Sequence, residues 1–546
     1  MIRPSRGARR AVQLGVVGAS LLAIAWFTGG SDTASSAIVG TLAHQAAPPP
    51  QPAVGKHRKA DLPGPFAVIL VIDAARADEV NLSNMPNLAK LAAQGVSFPN
   101  AWVGQLPSIT ESSHATIGTG VFPRRHLILG DTWRIPGTSQ MSPNLLNSNL
   151  TRTGYIGKQI QQSGVPSLST MVHQRFPGGL VVALSGHKIY AADGLGAGTA
   201  DFVAFGSRDA RGHYVPAAIP GHEPAQSIMQ SAQLDLPQYP RVPGVEDQWT
   251  ATLAEKFLFK YHPRLIMVNF PEVDVFGHTS GTNATVMQPL MAGVDRQIGR
   301  LVAAYGRAGM LAHTTWVVTA DHGMVPALHT VNSQTIKSII TSAGGQPLYV
   351  GHGDYSTIWL KNLGAVPRVA SALSNANVPN VVAVYAKDPA GQYRLISPIS
   401  HLANPGVRRT YSSLLNTLNQ GESPDIVLLY DENTITMTPN FAQIGRKGDH
   451  EGATWGAQHI PLYLMGPNVK HGVISNYPAR LVDIAPTIET LMGITPHDQD
   501  GIPLADAMIS PPADVLAIER KRQANLLPQV QALENEASLR PNLARR

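Results

Sequence analysis

The chain contains no cysteine. That absence removes disulfides, thiolate metal ligation and a cysteine nucleophile, so any metal is bound through His, Asp, Glu or hydroxyl oxygen, donors suited to hard or borderline ions. Net charge is missing from the bulk of the chain as well. The formal +6 comes from the first 60 residues, where Arg3, Arg6, Arg9, Arg10, Lys56, Arg58 and Lys59 face only Asp32; beyond them 35 basic and 35 acidic residues balance. Specific nucleic-acid binding is therefore not expected. No short-period repeat runs through the sequence. What is there is 546 residues, 43% of them hydrophobic, enough for one large α/β domain or two ordinary ones.

The four early arginines precede residues 11–30, which carry no charge. A positive segment followed by a long apolar one directs export through a membrane. Ser35-Ser36-Ala37 offers a small-residue cleavage site, while roughly 20 uncharged residues also suffice to span a bilayer. Residues 1–37 thus read as a signal peptide or as an N-terminal membrane anchor. Either way the remainder lies outside the cytoplasm, in a periplasmic or extracellular space. Residues 38–65, with Ala46-Ala-Pro-Pro-Pro-Gln-Pro52, read as an extended proline-rich linker.

A folded domain is expected over 66–510, followed by a solvated helical tail over 511–546. It opens on Phe66-Ala-Val-Ile-Leu-Val-Ile72, an unbroken apolar run of the kind found in a central parallel strand covered on both faces, ended by Asp73. A helix follows over 85–94. The layout recurs: 265–270 precedes Asp274 and His278, 315–320 precedes Asp321 and His322, and a strand over 459–465 follows the His450 loop. Acidic and imidazole groups therefore fall just past the C-terminal ends of buried strands, where open α/β sheets bind ligands. Helices over 286–309 and 485–492 are expected to cover the sheet, with Asp295, Arg296, Arg300 and Arg307 facing solvent. Segment 131–250, rich in Gly, Pro and Ser, reads as a less regular insertion capping the site, and 356–419 as a smaller one.

The chemistry is placed on Leu106-Pro-Ser-Ile-Thr-Glu-Ser-Ser-His-Ala-Thr-Ile-Gly-Thr-Gly120. This run of small hydroxyl residues reads as a loop turning into a short helix. Thr110 then stands at or just before the helix start, where free N–H groups and the positive end of the dipole favour an anion. A threonine needs a base or a metal to act as a nucleophile at neutral pH. Metal donors are at hand: Asp274 and His278 are four apart and share a helix face, Asp321 and His322 are adjacent at a strand end, and His450 lies in Gly448-Asp-His-Glu-Gly452. Singly each is weak, but together with Asp73 they are hard to read as accidental.

The chain resembles the alkaline phosphatase superfamily, in particular its nucleotide pyrophosphatase/phosphodiesterase branch and related single-nucleophile phosphatases. The resemblance is carried from Ile69 to about Leu504 by Val-Ile-Asp73-Ala-Ala-Arg76, Pro107-Ser-Ile-Thr110, Asp274-Val-Phe-Gly-His278, Thr319-Ala-Asp321-His322-Gly, His450-Glu-Gly452 and Asp483-Ile-Ala-Pro-Thr487. It implies a mainly parallel α/β sheet with helices on both faces and irregular cap insertions. It also implies two zinc ions, one held by Asp274, His278 and His450, the other by Asp73, Asp321, His322 and the Thr110 hydroxyl. Ligand types alone leave manganese open. The implied reaction is attack by Thr110 on a small phosphorylated substrate such as a nucleotide or phosphodiester, giving a phosphothreonine that water then hydrolyses.

Two departures bear on the substrate. Where relatives place an Asn that donates to a phosphoryl oxygen, this chain has Asp131, and a carboxylate there repels phosphate unless protonated or paired. Related monoesterases pair a Lys with an Arg two residues on; here Lys188 is kept and Tyr190 stands in place of the Arg. Losing a guanidinium hurts a monoester dianion more than a diester monoanion, so diester or pyrophosphate bonds are favoured. The alternatives are an alkaline phosphomonoesterase and, from another class, a non-catalytic binding protein on the same scaffold. A sulfatase is not supported, because no Cys/Ser-x-Pro-x-Arg motif surrounds Thr110. The sequence assigns no oligomeric state.

Overall fold

The computed structural model describes residues 64–209, 213–232, 242–398, 404–418 and 421–539. These fall in one of the chain's two compact units, Gln51–Arg546. The signal segment 1–37 and nearly all of the linker lie outside the described residues. Among the described residues no helix is long and apolar enough to cross a membrane.

Phe66–Ile72 forms the expected buried strand, every residue of it covered. It pairs in parallel with Leu265–Phe270 on one side and Thr314–Thr319 on the other, in a nine-stranded sheet. The register is what assembles the site. Ile72 lies opposite Phe270, Val71 opposite both Asn269 and Thr319, and Asn269 opposite Ser185 of the parallel strand Val181–Ser185. All four strands therefore end at one edge, and Asp73, Asp274, Asp321 and Lys188 leave the sheet side by side. Leu462–Met465 adds antiparallel to Thr314–Thr319, a shorter strand than the sequence indicates.

Segment 131–250 is not simply an irregular cap, although its Asp131 and Tyr190 reach the site rim. It supplies Val181–Ser185, Phe202–Arg208 and Tyr214–Ala218 to the central sheet and the covering helix Val245–Tyr261. Its Gly, Pro and Ser are dense enough to mask the short runs that form these three strands. The layer beside the site is instead a five-stranded antiparallel sheet between Pro347 and Pro398 plus Ile426–Tyr430, larger than the insertion expected over 356–419. Its strands alternate as a two-sided sheet requires: Ile426 and Leu428 face one apolar cluster, Val427 and Leu429 another.

The tail is helical over Ala513–Ser538 but not solvated all round. Leu526, Val530 and Leu533 pack into the second of those clusters beside Val407 and Leu414 of the helix Pro405–Leu415. Asp295 is also misplaced by the sequence pattern. It is buried and accepts the backbone N–H of Asn87 (3.1 Å) and Leu88 (2.8 Å). The helix Pro86–Ala93 begins after Met85, which has no side-chain acceptor, so a distant carboxylate satisfies its first turn.

His126 braces the helix that carries Thr110. Its Nδ1 accepts from the Ile128 N–H (3.1 Å), its Nε2 lies 3.0 Å from Thr116 Oγ1, and burial pushes its pKa down to about 3. The unfolded chain takes up this proton near pH 6.5 while the folded one refuses it, so stability present above that pH is lost as pH falls towards 3. Between pH 7 and pH 5 the cost is about 2 kcal/mol. His126→Asn is expected to flatten that part of the profile by about this amount, read by urea denaturation with chelator present at both pH values.

Candidate active site

Thr110 opens the helix Thr110–Thr119, and Ile109 before it provides no side-chain cap, so the first-turn N–H groups are left for something else. The helix is buried from end to end, and its small residues are what permit this. A Cβ at Gly118 would stand 2.7 Å from the Leu195 carbonyl oxygen of the neighbouring helix Ile189–Gly196. The preceding loop is tied to the His450 loop by Ser108, whose N–H donates to the Glu451 carbonyl (2.8 Å).

The residues singled out as metal ligands come together in two groups. Asp274 Oδ1 lies 3.2 Å from His278 Nε2 and 3.3 Å from His450 Nε2, the helix Glu272–Ser280 bringing the first two onto one face. His322 Nε2 lies 3.2 Å from Asp321 Oδ2, 3.7 Å from Asp73 Oδ1 and 3.1 Å from Thr110 Oγ1. The groups abut, with the His322 and His450 rings stacked at 3.7 Å between centroids.

The tautomers are fixed by what lies behind the rings. Nδ1 of His278 donates to the Gly448 carbonyl (2.9 Å), Nδ1 of His322 to Gly323 (2.8 Å) and Nδ1 of His450 to Ser108 (3.3 Å). A carbonyl only accepts, so in each neutral ring Nε2 keeps a bare lone pair. Burial holds His322 below its ordinary pKa, and burial with neighbouring His322 pushes His450 down to about 3, so these rings stay neutral. The Nε2 lone pairs of His322 and His450 thus each face a carboxylate oxygen, itself an acceptor, with the Thr110 hydroxyl also reaching His322. Asp274 Oδ1 and Asp321 Oδ2, both buried, have no hydrogen-bond partner. Acceptor against acceptor in a dry site is unfavourable unless a cation stands between. The residues present therefore fit divalent ions, each His oriented by a second hydrogen bond as ligating imidazoles are.

Lys188 is more central than a flank position suggests. Its ammonium reaches Asp73 Oδ1 (2.7 Å), Asp274 Oδ2 (2.7 Å) and Thr110 Oγ1 (3.2 Å), linking both carboxylate groups to the hydroxyl. Burial and Asp321 push Asp73 well above the usual carboxylate range despite that lysine. Asp274 is held well below the range by His278 and Lys188 against the opposing effect of burial. Tyr190 sits two residues on, packed beside a small cluster containing Ile128 and Trp133. Asp131 is pushed up to about 6 by burial, with Arg446 pulling it down and Asp449 pushing it up; its Oδ1 has no partner.

Four nearby residues are not picked out by sequence reasoning. Asn269 donates to Asp73 Oδ2 (2.9 Å) and to Ser185 Oγ (3.1 Å). His114 Nδ1 lies 2.8 Å from the Thr110 carbonyl and 3.4 Å from Asp321 Oδ2. Asp449, adjacent to His450 and so within reach of a motif search, groups with His278 and His450. Arg446 binds Asp449.

The family model for type I phosphodiesterase / nucleotide pyrophosphatase matches residues 67–452. The chain belongs to this family. Among curated relatives, an uncharacterized pyrophosphatase/phosphodiesterase of Schizosaccharomyces pombe is 25% identical over 265 residues, 47% of this chain and 44% of that protein. A 2,3-bisphosphoglycerate-independent phosphoglycerate mutase of Synechococcus elongatus is 38% identical over 85 residues, 16% of this chain and 15% of that one. The matched region thus spans less than half the length of either relative. Among solved structures, alkaline phosphatase PafA superposes with a TM-score of 0.63 at 16% identity, over 82% of this chain and 100% of that one. Inactive murine ectonucleotide pyrophosphatase/phosphodiesterase 5, in complex with AMP, does so with a TM-score of 0.56 at 16% identity and the same coverage. The fold of this phosphodiesterase-family chain is alkaline-phosphatase-like.

Proposed function

We propose that the chain is an exported, zinc-dependent hydrolase of phosphodiester or pyrophosphate bonds in small substrates such as nucleotides, acting through a phosphothreonine at Thr110. The observation that carries this reading is the set of imidazole lone pairs aimed at partnerless carboxylate oxygens beside a hydroxyl at a helix start. Asp274, His278 and His450 would hold one ion, and Asp73, Asp321, His322 and Thr110 Oγ1 the other. An all-N,O donor set with three imidazoles suits zinc, with manganese second. When bound, two such ions would ease loss of the Thr110 proton and neutralise charge on the leaving oxygen.

The chain's own groups supply the rest. Thr110 Oγ1 forms the bond to phosphorus as the bond to the leaving alcohol or phosphate breaks, and water later cleaves the phosphothreonine and restores the hydroxyl. Lys188 donates to Oγ1 and favours its alkoxide form, while the uncapped N–H groups of the helix face the phosphoryl oxygens. Family membership supports the bond class, and Tyr190 in place of a guanidinium supports diester over monoester. Export is supported by the four arginines and the uncharged stretch after them, and sequencing the N-terminus of the exported protein distinguishes a cleaved signal from a retained anchor.

The test is zinc-loaded protein assayed on bis(p-nitrophenyl) phosphate and p-nitrophenyl phosphate. The diester is expected to show at least about tenfold higher kcat/KM, as loss of one charged contact to the dianion implies, and a chelator should stop both reactions. A faster monoester would establish the phosphomonoesterase alternative; protein that holds no zinc and turns over neither ester would establish the binding-protein one. Asp131→Asn is expected to raise kcat/KM several-fold on both esters, roughly the worth of one recovered donor, with a fall instead showing that the carboxylate is a working part.

A further inference from the structure

The rim of the site is formed by His278, Asp131, Tyr190, Glu451 and Arg446, all partly exposed, whereas Asp73, Thr110, Asp321 and His322 are enclosed. Arg446 reaches this rim from a remote stretch of chain. The helix Pro439–Ile444 ends on Gly445 at φ +66, a left-handed turn that favours glycine. The chain then doubles back, and the Arg446 guanidinium lies over the Phe441 ring, 4.4 Å from its centroid. Its Nη2 is 2.6 Å from Asp449 Oδ1 and 3.4 Å from His278 Nε2, and its buried Nε has no partner.

We propose that Arg446 binds a phosphoryl oxygen of the substrate and sets how much monoester this diesterase accepts. The inference rests on the metal-dependent reading above. Once His278 Nε2 is given to a cation, Nη2 loses that acceptor. Nε and Nη2 lie on one edge of the planar guanidinium, the edge that grips two oxygens of a phosphate, and in that state Nε and the Nη2 hydrogen freed from His278 turn to the substrate while the other Nη2 hydrogen stays on Asp449. Arg446 thereby restores, from more than 250 positions downstream, the positive charge that Tyr190 fails to supply. Asp449 holds it at the rim and offsets part of its charge, which keeps the diester preferred.

Orthophosphate is titrated onto zinc-loaded wild type, Arg446→Ala and Arg446→Lys, with zinc per chain measured alongside kcat/KM on the two nitrophenyl esters. Arg446→Ala is expected to keep its zinc, to bind orthophosphate about tenfold more weakly and to lower the monoester-to-diester ratio of kcat/KM by about the same factor, as loss of one charge-assisted contact implies. Arg446→Lys, which keeps the stem over Phe441 and the charge but not the fork, should fall between, and it carries the test by itself if the alanine variant fails to fold. Unchanged phosphate affinity, an equal loss on both esters, or loss of zinc would each overturn the proposal, the last by showing that Arg446 acts on the ion site instead. Wild-type turnover dependent on zinc keeps the functional reading standing in every one of these cases.

Discussion

Thr110→Ala lowers kcat/KM for a phosphodiester by roughly 10^4-fold or more while leaving fold and zinc content in place, the scale of loss seen when an enzyme's nucleophile is removed. Both halves of that expectation follow from what the side chain touches. Its hydroxyl contacts His322 Nε2 and Lys188 Nζ and caps nothing, since the helix starts after Ile109 and Ser113 closes its first turn onto the Ile109 carbonyl. Alanine is the better helix former, so the fold loses little. Three carboxylates and three imidazoles remain to hold the ions. Ser108 and Ser112 turn elsewhere, donating to the Ala457 and Ile128 carbonyls. Thr110→Ser, which keeps the hydroxyl, should retain activity within about tenfold, since one methyl is worth roughly 1 kcal/mol. An alanine variant within about tenfold of wild type, with zinc bound, would remove Thr110 from the nucleophile role.

Much of this site is readable without coordinates because its parts sit at fixed places in the local code. An unbroken apolar run such as Phe66–Ile72 can only be a covered strand or a buried helix, and its short length and β-branched residues settle which. Asp274 and His278 meet because four residues make about one helical turn. What local pattern does not carry is partner choice between distant segments. Val181–Ser185 and Phe202–Arg208 are ordinary short apolar runs in a Gly-, Pro- and Ser-rich stretch, and only parallel pairing with Leu265–Phe270 makes the first a central strand. Asp295 looks solvated because a charged residue on a long helix usually is, yet a helix that begins after a methionine needs an acceptor from somewhere. Arg446 has no signal at all in its own neighbourhood. Its meaning comes from His278 and Asp131, 168 and 315 positions away.

Asp321 gives the other large effect, and metal enlarges it. Asp321 Oδ1 accepts the N–H groups of Ala74 and His322 (3.0 Å each), and Ala74 is a non-glycine residue at φ +62 that this bond helps to hold. Asp321→Ala leaves both buried donors unpaired, at about 1–3 kcal/mol each, and is expected to lose fold stability, zinc and activity together. Asp321→Asn separates these effects, because its amide oxygen still accepts both N–H groups while the charge is gone. In chelator Asp321 pushes its buried neighbour Asp73 upward, while His322, His114 and Lys188 hold Asp321 itself below the usual carboxylate range against the opposing effect of burial. A folded-state pKa below the ordinary value means that the ionised carboxylate stabilises the fold at neutral pH, so Asp321→Asn should melt somewhat below the wild-type temperature. With zinc added the gap widens. Wild type gains RT ln(1 + [L]/Kd), about 2.7 kcal/mol at one hundred times Kd, whereas the amide variant gains only what the Asp274 site contributes and loses turnover by on the order of 10^3-fold. Thermal melts of both proteins with and without zinc would show a difference in melting temperature that grows when zinc is added. Parallel curves, with zinc shifting wild type and Asp321→Asn equally, would mean that Asp321 holds backbone and not metal.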